Sequence, residues 1–143
     1  MKPDRKATLL LVATLLVAAF LTGCGKGNTV DSPGKSLIAF FKAMSDNNFT
    51  EAAKYIDMIC QSNINLMYGS VANYLAQNNS PDSKYIASRI RIISQDIKGN
   101  EADVKFKLEG ENKIVMIHMV KQDGVWRLPL DKYSGDLLIE PVR

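Results

Sequence analysis

The chain begins with its longest apolar run. Residues 7–20 read ATLLLVATLLVAAF, and Lys2, Arg5 and Lys6 precede them. This run of about 14 residues is shorter than the roughly 20 residues that a helix needs to cross a bilayer. A basic start followed by a short apolar centre and small residues is typical of a secretory signal peptide. We therefore expect residues 1–23 to be removed during export.

Helical spacing follows a short polar segment. Residues 25–31, GKGNTVD, are polar and rich in glycine, which is typical of a flexible tether. Ser32 and Pro33 form a helix start signal, with serine as the N-cap and proline at the first helical position. The next apolar residues recur at helical spacing and predict a first amphipathic helix; they are Leu37, Phe40, Phe41 and Met44.

Two more helices are expected before a polar break. Thr50 is the expected N-cap of the second helix, whose inward side chains would be Ala52, Tyr55, Ile56 and Ile59. After a break near residues 61–63, a third helix keeps its apolar spacing through Ile64, Met67, Val71, Tyr74 and Leu75. Residues 77–83, QNNSPDS, are dense in turn formers and predict the end of the helical half.

The hydrophobic period then changes from that of a helix to that of a strand. Residues 86–97 are rich in β-branched side chains and predict a first strand, with Ile90 and Ile92 on one face and Arg89 and Arg91 on the other. Three more strands follow, at residues 102–108, 113–121 and 125–130. Residues 113–121 are apolar on both faces and predict a central strand, whereas Pro129 limits the last strand to an edge or an end.

Helices followed by a meander of strands predict an α+β fold, in which N-terminal helices pack on a curved antiparallel four-stranded sheet. The expected domain covers residues 32–131, and residues 132–143 form a polar C-terminal tail.

The end of the signal peptide carries a recognisable motif. Residues 21–24 read LTGC and resemble the bacterial lipobox. This resemblance implies that the Cys24 thiol is acylated with diacylglycerol and that Cys24 becomes the first, palmitate-bearing residue of a lipid-tethered envelope protein. By the sorting rule of such lipoproteins, Gly25 favours the outer membrane in a bacterium with two membranes. In a bacterium with one membrane, the anchor would lie in the cell membrane.

Charge and cysteine content exclude several classes of function. The formal net charge is +3, but the signal peptide carries about +2 of it, which leaves the mature domain nearly neutral. The sequence therefore gives no indication of nucleic-acid binding. Once Cys24 carries lipid, no second cysteine remains for Cys60 to form a disulfide, and its apolar setting favours a buried structural thiol. A single histidine and one uncommitted cysteine do not make a usual zinc shell, and no cofactor is expected.

Three motifs in order resemble one superfamily. The segments SPGKSLIAFFKAMSDNNFTEAAKYI, IKGNEADVKFKL and VKQDGVWRL resemble the small bacterial lipoprotein branch, of unknown function, of the nuclear transport factor 2-like superfamily. The resemblance implies a cone-shaped, cystatin-like domain whose open end binds small apolar ligands in some relatives. In other relatives the cone holds a catalytic aspartate or an Asp-His pair. The resemblance concerns the fold and carries no chemistry of its own.

Candidate site residues are therefore few. Residues that would line a pocket at the open end of the cone, or alternatively fill the core, are Phe41, Tyr55, Met67, Tyr74, His118 and Trp126. Asp57 or His118 is the candidate acid-base group of an isomerase-like or dehydratase-like enzyme. Asp57 equally fits an exposed helix face, and His118 equally fits a core or rim position. Arg89, Arg91, Lys105 and Lys107 make a basic sheet face that is more simply the wet side of the sheet.

The sequence thus predicts a lipid-anchored, non-enzymatic protein of the cell envelope that binds a small apolar ligand or another envelope protein. Its contact with the membrane would be the lipid on Cys24. The alternatives are a small enzyme using Asp57 or His118, and a purely structural interaction module whose cone is filled with side chains.

Overall fold

The structure is a computed structural model that describes residues 32–130 and 139–142. Predictions for the signal peptide, Cys24, the tether and residues 131–138 lie outside the described residues. Within these ranges, five helices are followed by five strands. No helix within the described ranges has the length and apolarity needed to cross a membrane.

Four of the five described helices begin where a short polar side chain accepts a hydrogen bond from the first turn. Helix α1 (Pro33–Ser45) follows the Ser32 N-cap, and the short α2 (Phe49–Ala53) follows Asn48. Asp57 caps α3 (Met58–Tyr68), and Ser70 caps α4 (Val71–Gln77). Helix α5 (Asp82–Arg89) leads directly into the sheet. Each cap satisfies an N–H group that has no partner within its own helix.

The sheet is antiparallel. Its strands are β1 (Ile90–Lys98), β2 (Glu101–Leu108), β3 (Val115–Gln122), β4 (Val125–Arg127) and β5 (Ile139–Pro141). The order is β1-β2-β3-β4, and β5 pairs with the other end of β3. A register shift between Ile92 and Ser94 marks a bulge in the edge strand β1, and bulges bend strands and increase their twist.

The core lies between the helices and one face of this sheet. Val104, Ile117 and Met119 are at most 1% exposed and alternate with more exposed residues along their strands. Helix α1 packs across β1, β2 and β4 and places Leu37 and Phe40 in the same cluster. The α+β fold class, with helices packed on an antiparallel sheet that contains the four predicted strands, is therefore confirmed.

The helical boundaries differ from the prediction in several places. Residues 61–63 lie inside α3 and do not break it, and the expected third helix is divided at Gly69, whose positive φ of 76° ends α3. The turn formers at residues 77–83 do not end the helical half, because α5 follows them. Arg89 consequently belongs to that helix, and β1 starts only at Ile90. Asn48 rather than Thr50 caps α2.

The sheet also carries a strand that the pattern did not predict. β5 falls within the segment assigned to a polar tail and pairs antiparallel with residues 115–117 of β3. Because β2 lies on the other side of β3, and β4 shares an edge with β5, β3 is the central strand that its apolar sequence predicted.

Candidate functional site

Most of the predicted pocket residues belong to the core. Phe41, Tyr55, Tyr74 and Trp126 are between 2% and 7% exposed and are packed in one hydrophobic cluster. The structure therefore gives these four side chains the alternative role considered for them, which is to fill the space between the helices and the sheet. The fifth, Met67, is 63% exposed and lies on the outside of α3.

Helix α3 presents its apolar side chains to solvent. Leu66 is 87% exposed and Ile59 is 71% exposed, whereas only Ile64 of this helix is buried. A surface helix of a globular protein ordinarily does the opposite and turns its apolar stripe toward the core. The predicted inward orientation of Ile59 and Met67 is thus wrong. Ile64, together with the half-buried Cys60 and Gln61, occupies the inner side of the helix instead.

Polar contacts hold the beginning of α3 against the sheet. The side-chain Oε1 of Gln122, at the end of β3, accepts a hydrogen bond from the Met58 N–H at 3.0 Å. Its Nε2 donates to the Asp57 carboxylate at 3.4 Å, and that carboxylate also accepts from the Ile59 N–H at 2.7 Å. The first turn of α3 is therefore fixed without burial of Met58 or Ile59.

The segment before α3 is fixed in the same way. Ile56 and Leu128 form a parallel bridge, in which the Leu128 N–H donates to the Tyr55 carbonyl and the Asp57 N–H donates to the Leu128 carbonyl. The Arg127 guanidinium donates to the Lys54 carbonyl at 2.7 Å. The Gln61 side-chain amide donates to the Ile56 carbonyl at 2.7 Å. These bonds satisfy backbone groups that would otherwise lack partners at the junction of α2 and α3.

The end of α3 is held by Asn65. Its side-chain oxygen accepts a hydrogen bond from the Val71 N–H at 3.0 Å, which joins α3 to the start of α4. Tyr68 and Tyr74 add a ring contact between the two helices, with centroids 4.9 Å apart. Both ends of α3 are thus fastened, and the exposed side between them is a surface of defined shape.

We call this exposed side the α3 face and define it by Met58, Ile59, Ser62, Asn63, Leu66 and Met67, all of which are exposed. At 3.6 residues per turn, these six positions fall within one half of the helix circumference. Helix α3 contains no charged residue over its 11 positions. Protein interfaces are enriched in methionine and depleted of charge at their centres. The α3 face has that composition.

Among the surface cavities formed by the described residues, two lie beside α1 and away from the α3 face. The larger, of about 500 Å³, is a groove bordered by the ion pairs Lys42–Asp46 and Glu51–Lys54. The other, of about 360 Å³, is lined mainly by asparagine, serine and lysine side chains between α1 and α5. Tyr55 is the one predicted pocket residue that reaches either cavity. Burial, and next the nearby Glu51 carboxylate, raise the pKa of its hydroxyl above the ordinary value.

His118 and Asp103 form a pair on the sheet face that points away from the helices. They lie directly opposite each other in the β2–β3 register, and His118 Nδ1 is 2.8 Å from the Asp103 carboxylate. Their side chains are 51% and 39% exposed, so water reaches both. His118 is therefore neither a core residue nor a pocket residue. Asp57, the other candidate acid-base group, caps α3 and has different partners.

The described part of the chain contains no group of three histidine, cysteine, aspartate or glutamate side chains that could bind a metal ion.

The predicted basic sheet face is divided, because Arg89 stacks on Tyr85 at the end of α5 while Arg91 pairs with Glu109.

Sequence reasoning missed the α3 face because it assigned Ile59 and Met67 to two different helices. The signal was present in the seven-residue spacing of Ile59 and Leu66, since residues seven apart lie on one side of a helix. Ser62 and Asn63 lie between them on the same side of the helix. A helix that faced the core would carry apolar residues at these positions, so the two polar residues indicate an exposed side.

Comparison with known proteins does not identify a family for this chain. No protein-family model matches the chain, and no curated protein matches it. A crystal structure of an "NTF2-like protein of unknown function" from Cytophaga hutchinsonii ATCC 33406 is similar with a TM-score of 0.36 and 10% identity. The match covers 78% of this chain and 90% of that one. A likeness at this level carries no argument about family or function.

Proposed function

We propose that this chain is a lipid-anchored protein of the cell envelope, without enzymatic activity, whose domain binds another protein through the α3 face. The partner surface should be apolar and uncharged, because a charged group placed against Leu66 and Ile59 would lose its hydration without gaining a counter-ion. The exposure of Leu66 on a helix that lacks charge is the observation that carries this proposal.

Binding at this face is energetically reasonable. Full burial of a leucine, isoleucine or methionine side chain contributes about 1.5–3 kcal/mol. Leu66, Ile59 and Met67 are each at least 63% exposed in the isolated domain, so most of that contribution is still to be gained. Since the polar contacts of Gln122, Asp57 and Asn65 already fix the helix, little conformational freedom remains to be lost on binding.

The proposed lipid anchor would determine where in the cell the domain encounters its partner. Between an acylated Cys24 and the start of α1 at Ser32, the chain spans at most about 25–30 Å. That length is comparable to the diameter of a domain of this size. The domain would therefore remain beside the membrane surface, where other envelope proteins are concentrated.

The absence of enzymatic activity is part of the proposal. The His118–Asp103 pair lies on a sheet face where both side chains are open to water, and none of residues 32–130 covers them. The Asp57 carboxylate already accepts hydrogen bonds from the Ile59 N–H and the Gln122 amide. Neither arrangement resembles a prepared acid-base site.

The anchor is tested by mass spectrometry of the full-length gene product recovered from bacterial membranes. We expect a chain that starts at Cys24 and carries diacylglycerol and an amide-linked acyl chain. A Cys24→Ser variant should keep its signal peptide or leave the membrane fraction. An unmodified N-terminus on protein from the soluble fraction would contradict the anchor.

The docking surface is tested by thiol accessibility in isolated membranes. The variants Leu66→Cys and Lys84→Cys, both made in a Cys60→Ala background in which the acylated Cys24 offers no free thiol, are treated with a maleimide reagent. Both positions are exposed in the isolated domain. We expect slow labelling at position 66, fast labelling at position 84, and equal rates after the protein is diluted in detergent. Equal and fast labelling in the membrane would contradict docking at α3.

A further inference from the structure

The turn between α1 and α2 carries a motif with a chemical meaning. Residues 46–50 read DNNFT. An asparagine followed two positions later by serine or threonine, with any residue except proline between them, is the acceptor sequence of N-glycosylation in exported proteins. Here Asn48 is the asparagine and Thr50 supplies the hydroxyl. Asp46 adds an acidic residue two positions before the asparagine, which is the further feature that bacterial oligosaccharyltransferases select.

The reacting atom of this motif is free in the folded domain. Asp46, Asn48 and Thr50 are all exposed. The side-chain Oδ1 of Asn48 accepts a hydrogen bond from the Glu51 N–H at 3.2 Å. Among the described residues, none accepts a hydrogen bond from its Nδ2. N-glycosylation takes place at Nδ2, so the atom that would react is the one that the fold does not use.

A sugar on Asn48 is compatible with the local structure. An N-glycosylated asparagine keeps its amide carbonyl, so Oδ1 can still cap α2 by accepting from Glu51. Asn48 also lies on the border of the groove of about 500 Å³ beside α1, together with Glu51 and Tyr55. The first sugar would therefore have open space next to it and polar side chains within that space.

A second match to the short motif has none of these features. Residues 78–80 read NNS, but the Nδ2 of Asn78 donates to the Tyr74 carbonyl at 2.8 Å, where it helps to end α4. Ala76 stands at the position that an acidic residue occupies in the first motif. The chain thus contains its own comparison, in which the same three-residue pattern is committed to holding a helix end.

We propose that Asn48 is an N-glycosylation site and that its co-substrate is an oligosaccharide linked to a polyprenol through pyrophosphate. In the transfer, Nδ2 forms a bond to the anomeric carbon of the first sugar while the bond from that carbon to the pyrophosphate oxygen breaks. One Nδ2 proton passes to a base of the transferase, and the polyprenyl pyrophosphate leaves. Nothing is oxidised or reduced. The inference rests on the export that the proposed function includes, and it is independent of docking at the α3 face.

Mass spectrometry of the full-length gene product, purified from the membranes of the bacterium that makes it, tests the site. Trypsin cleaves after lysine and arginine, which places Asn48 in the peptide 43–54 and Asn78 in the peptide 55–84. We expect the peptide 43–54 to carry a glycan on Asn48. The peptide 55–84 should have the mass of its unmodified sequence.

Variants in the motif separate acceptor chemistry from a structural role. Thr50→Ala keeps Asn48 and its cap but removes the hydroxyl, so the glycan should be lost while the unfolding midpoint stays close to that of the unglycosylated parent. Thr50→Ser restores the hydroxyl and should keep most of the glycan. Asp46→Ala should lose most of it. Asn78→Gln is the control and should leave the glycan on the peptide 43–54 unchanged.

The outcomes distinguish this inference from the proposed function. A glycan on the peptide 43–54 that disappears in Thr50→Ala and persists in Thr50→Ser supports the site. A chain that starts at acylated Cys24 but carries a bare peptide 43–54 overturns the site and leaves the anchor intact. A chain that keeps its signal peptide and carries no glycan overturns both. A glycan on Asn78 alone would also contradict the inference, because the structure commits that amide.

Discussion

Gly34 and Gln95 are 61 residues apart in the chain and meet at the first turn of α1, where the Gly34 N–H donates to the side-chain Oε1 of Gln95 at 2.8 Å. The contact joins α1 to the edge strand β1 on the helix side of the sheet. A side chain at position 34 would press on the acceptor of this hydrogen bond, since an added Cβ would lie 3.0 Å from Oε1 of Gln95 and 3.2 Å from Cγ1 of Ile92.

We therefore expect Gly34→Ala to destabilise the domain by about 1 kcal/mol. Alanine favours a helix by up to about 1 kcal/mol over glycine, but displacing Gln95 leaves a buried N–H without a partner, which costs about 1–3 kcal/mol. Urea unfolding measures the difference. In a Gln95→Ala background the hydrogen bond is already lost, so Gly34→Ala should cost less. Equal costs in both backgrounds would show that Gln95 is not the cause.

The Gln122 side chain should contribute more to the stability of α3 than its partly buried position suggests. Gln122→Ala removes its hydrogen bonds to the Met58 N–H and the Asp57 carboxylate, so we expect a loss of about 1–2 kcal/mol. Hydrogen exchange of the amides in the first turn of α3 should accelerate in parallel. Gln77→Ala, at the exposed end of α4, is the control and should change stability by less than about 0.5 kcal/mol. Unchanged exchange in α3 would contradict the role of Gln122.

Two aliphatic residues of α3, two positions apart, should differ greatly in the stability that is lost when each is truncated to alanine. Ile64 is 5% exposed, and Ile64→Ala should cost about 2–4 kcal/mol because it removes buried methyl groups and leaves a cavity. Leu66 is 87% exposed, and Leu66→Ala should change the free energy of unfolding by less than about 0.5 kcal/mol. Thermal and urea unfolding of both variants compare them directly. A large loss for Leu66→Ala in the isolated monomer would mean that α3 is oriented differently.

Tyr55 should make stability fall at high pH. Burial, and next Glu51, raise the pKa of this hydroxyl in the folded state, so the folded chain holds the proton more tightly than the unfolded chain, in which a tyrosine titrates near pH 10. The resulting stabilisation is fully present below about pH 10 and is lost as the pH rises through the folded-state pKa. Tyr55→Phe should flatten this decline. Urea unfolding between pH 8 and 11 measures it, and identical profiles for both proteins would contradict the assignment.

The sequence predicted the parts of the fold that depend on local periodicity. The helix that Ser32 and Pro33 start, and the alternation of Val104 and Phe106 with lysines in β2, appear in the structure as expected. In each case the buried set and the spacing point to the same element, so one local pattern is sufficient.

The orientation of α3 could not be predicted by the same means. A hydrophobic stripe is assigned to the core by default, but here polar bonds from Gln122, Asp57 and Asn65 hold the helix in place of apolar burial. Gln122 lies 64 residues from Met58, so no local pattern contains this information. The strand β5 escaped prediction for a similar reason, because three residues that pair with β3 are too few to show a period.

The candidate site residues were the hardest to predict, because their surroundings depend on residues far apart in the chain. Large aromatic side chains were expected to line a pocket. Three of them, Phe41, Tyr74 and Trp126, instead lie in the hydrophobic core, where large apolar residues are usually found. For His118, only the register of β2 and β3 shows that it lies across from Asp103.

Photo-cross-linking in intact bacterial cells tests the central claim most directly. A photoreactive amino acid is incorporated at Leu66 of the full-length chain and, as the control, at Lys84 of α5, which is also exposed. We expect illumination to give a defined protein adduct from position 66 and none from position 84, and we expect Ile59→Asp to remove that adduct. Adducts of equal yield from both positions, or adducts to lipid alone from position 66, would contradict a protein-docking role for the α3 face.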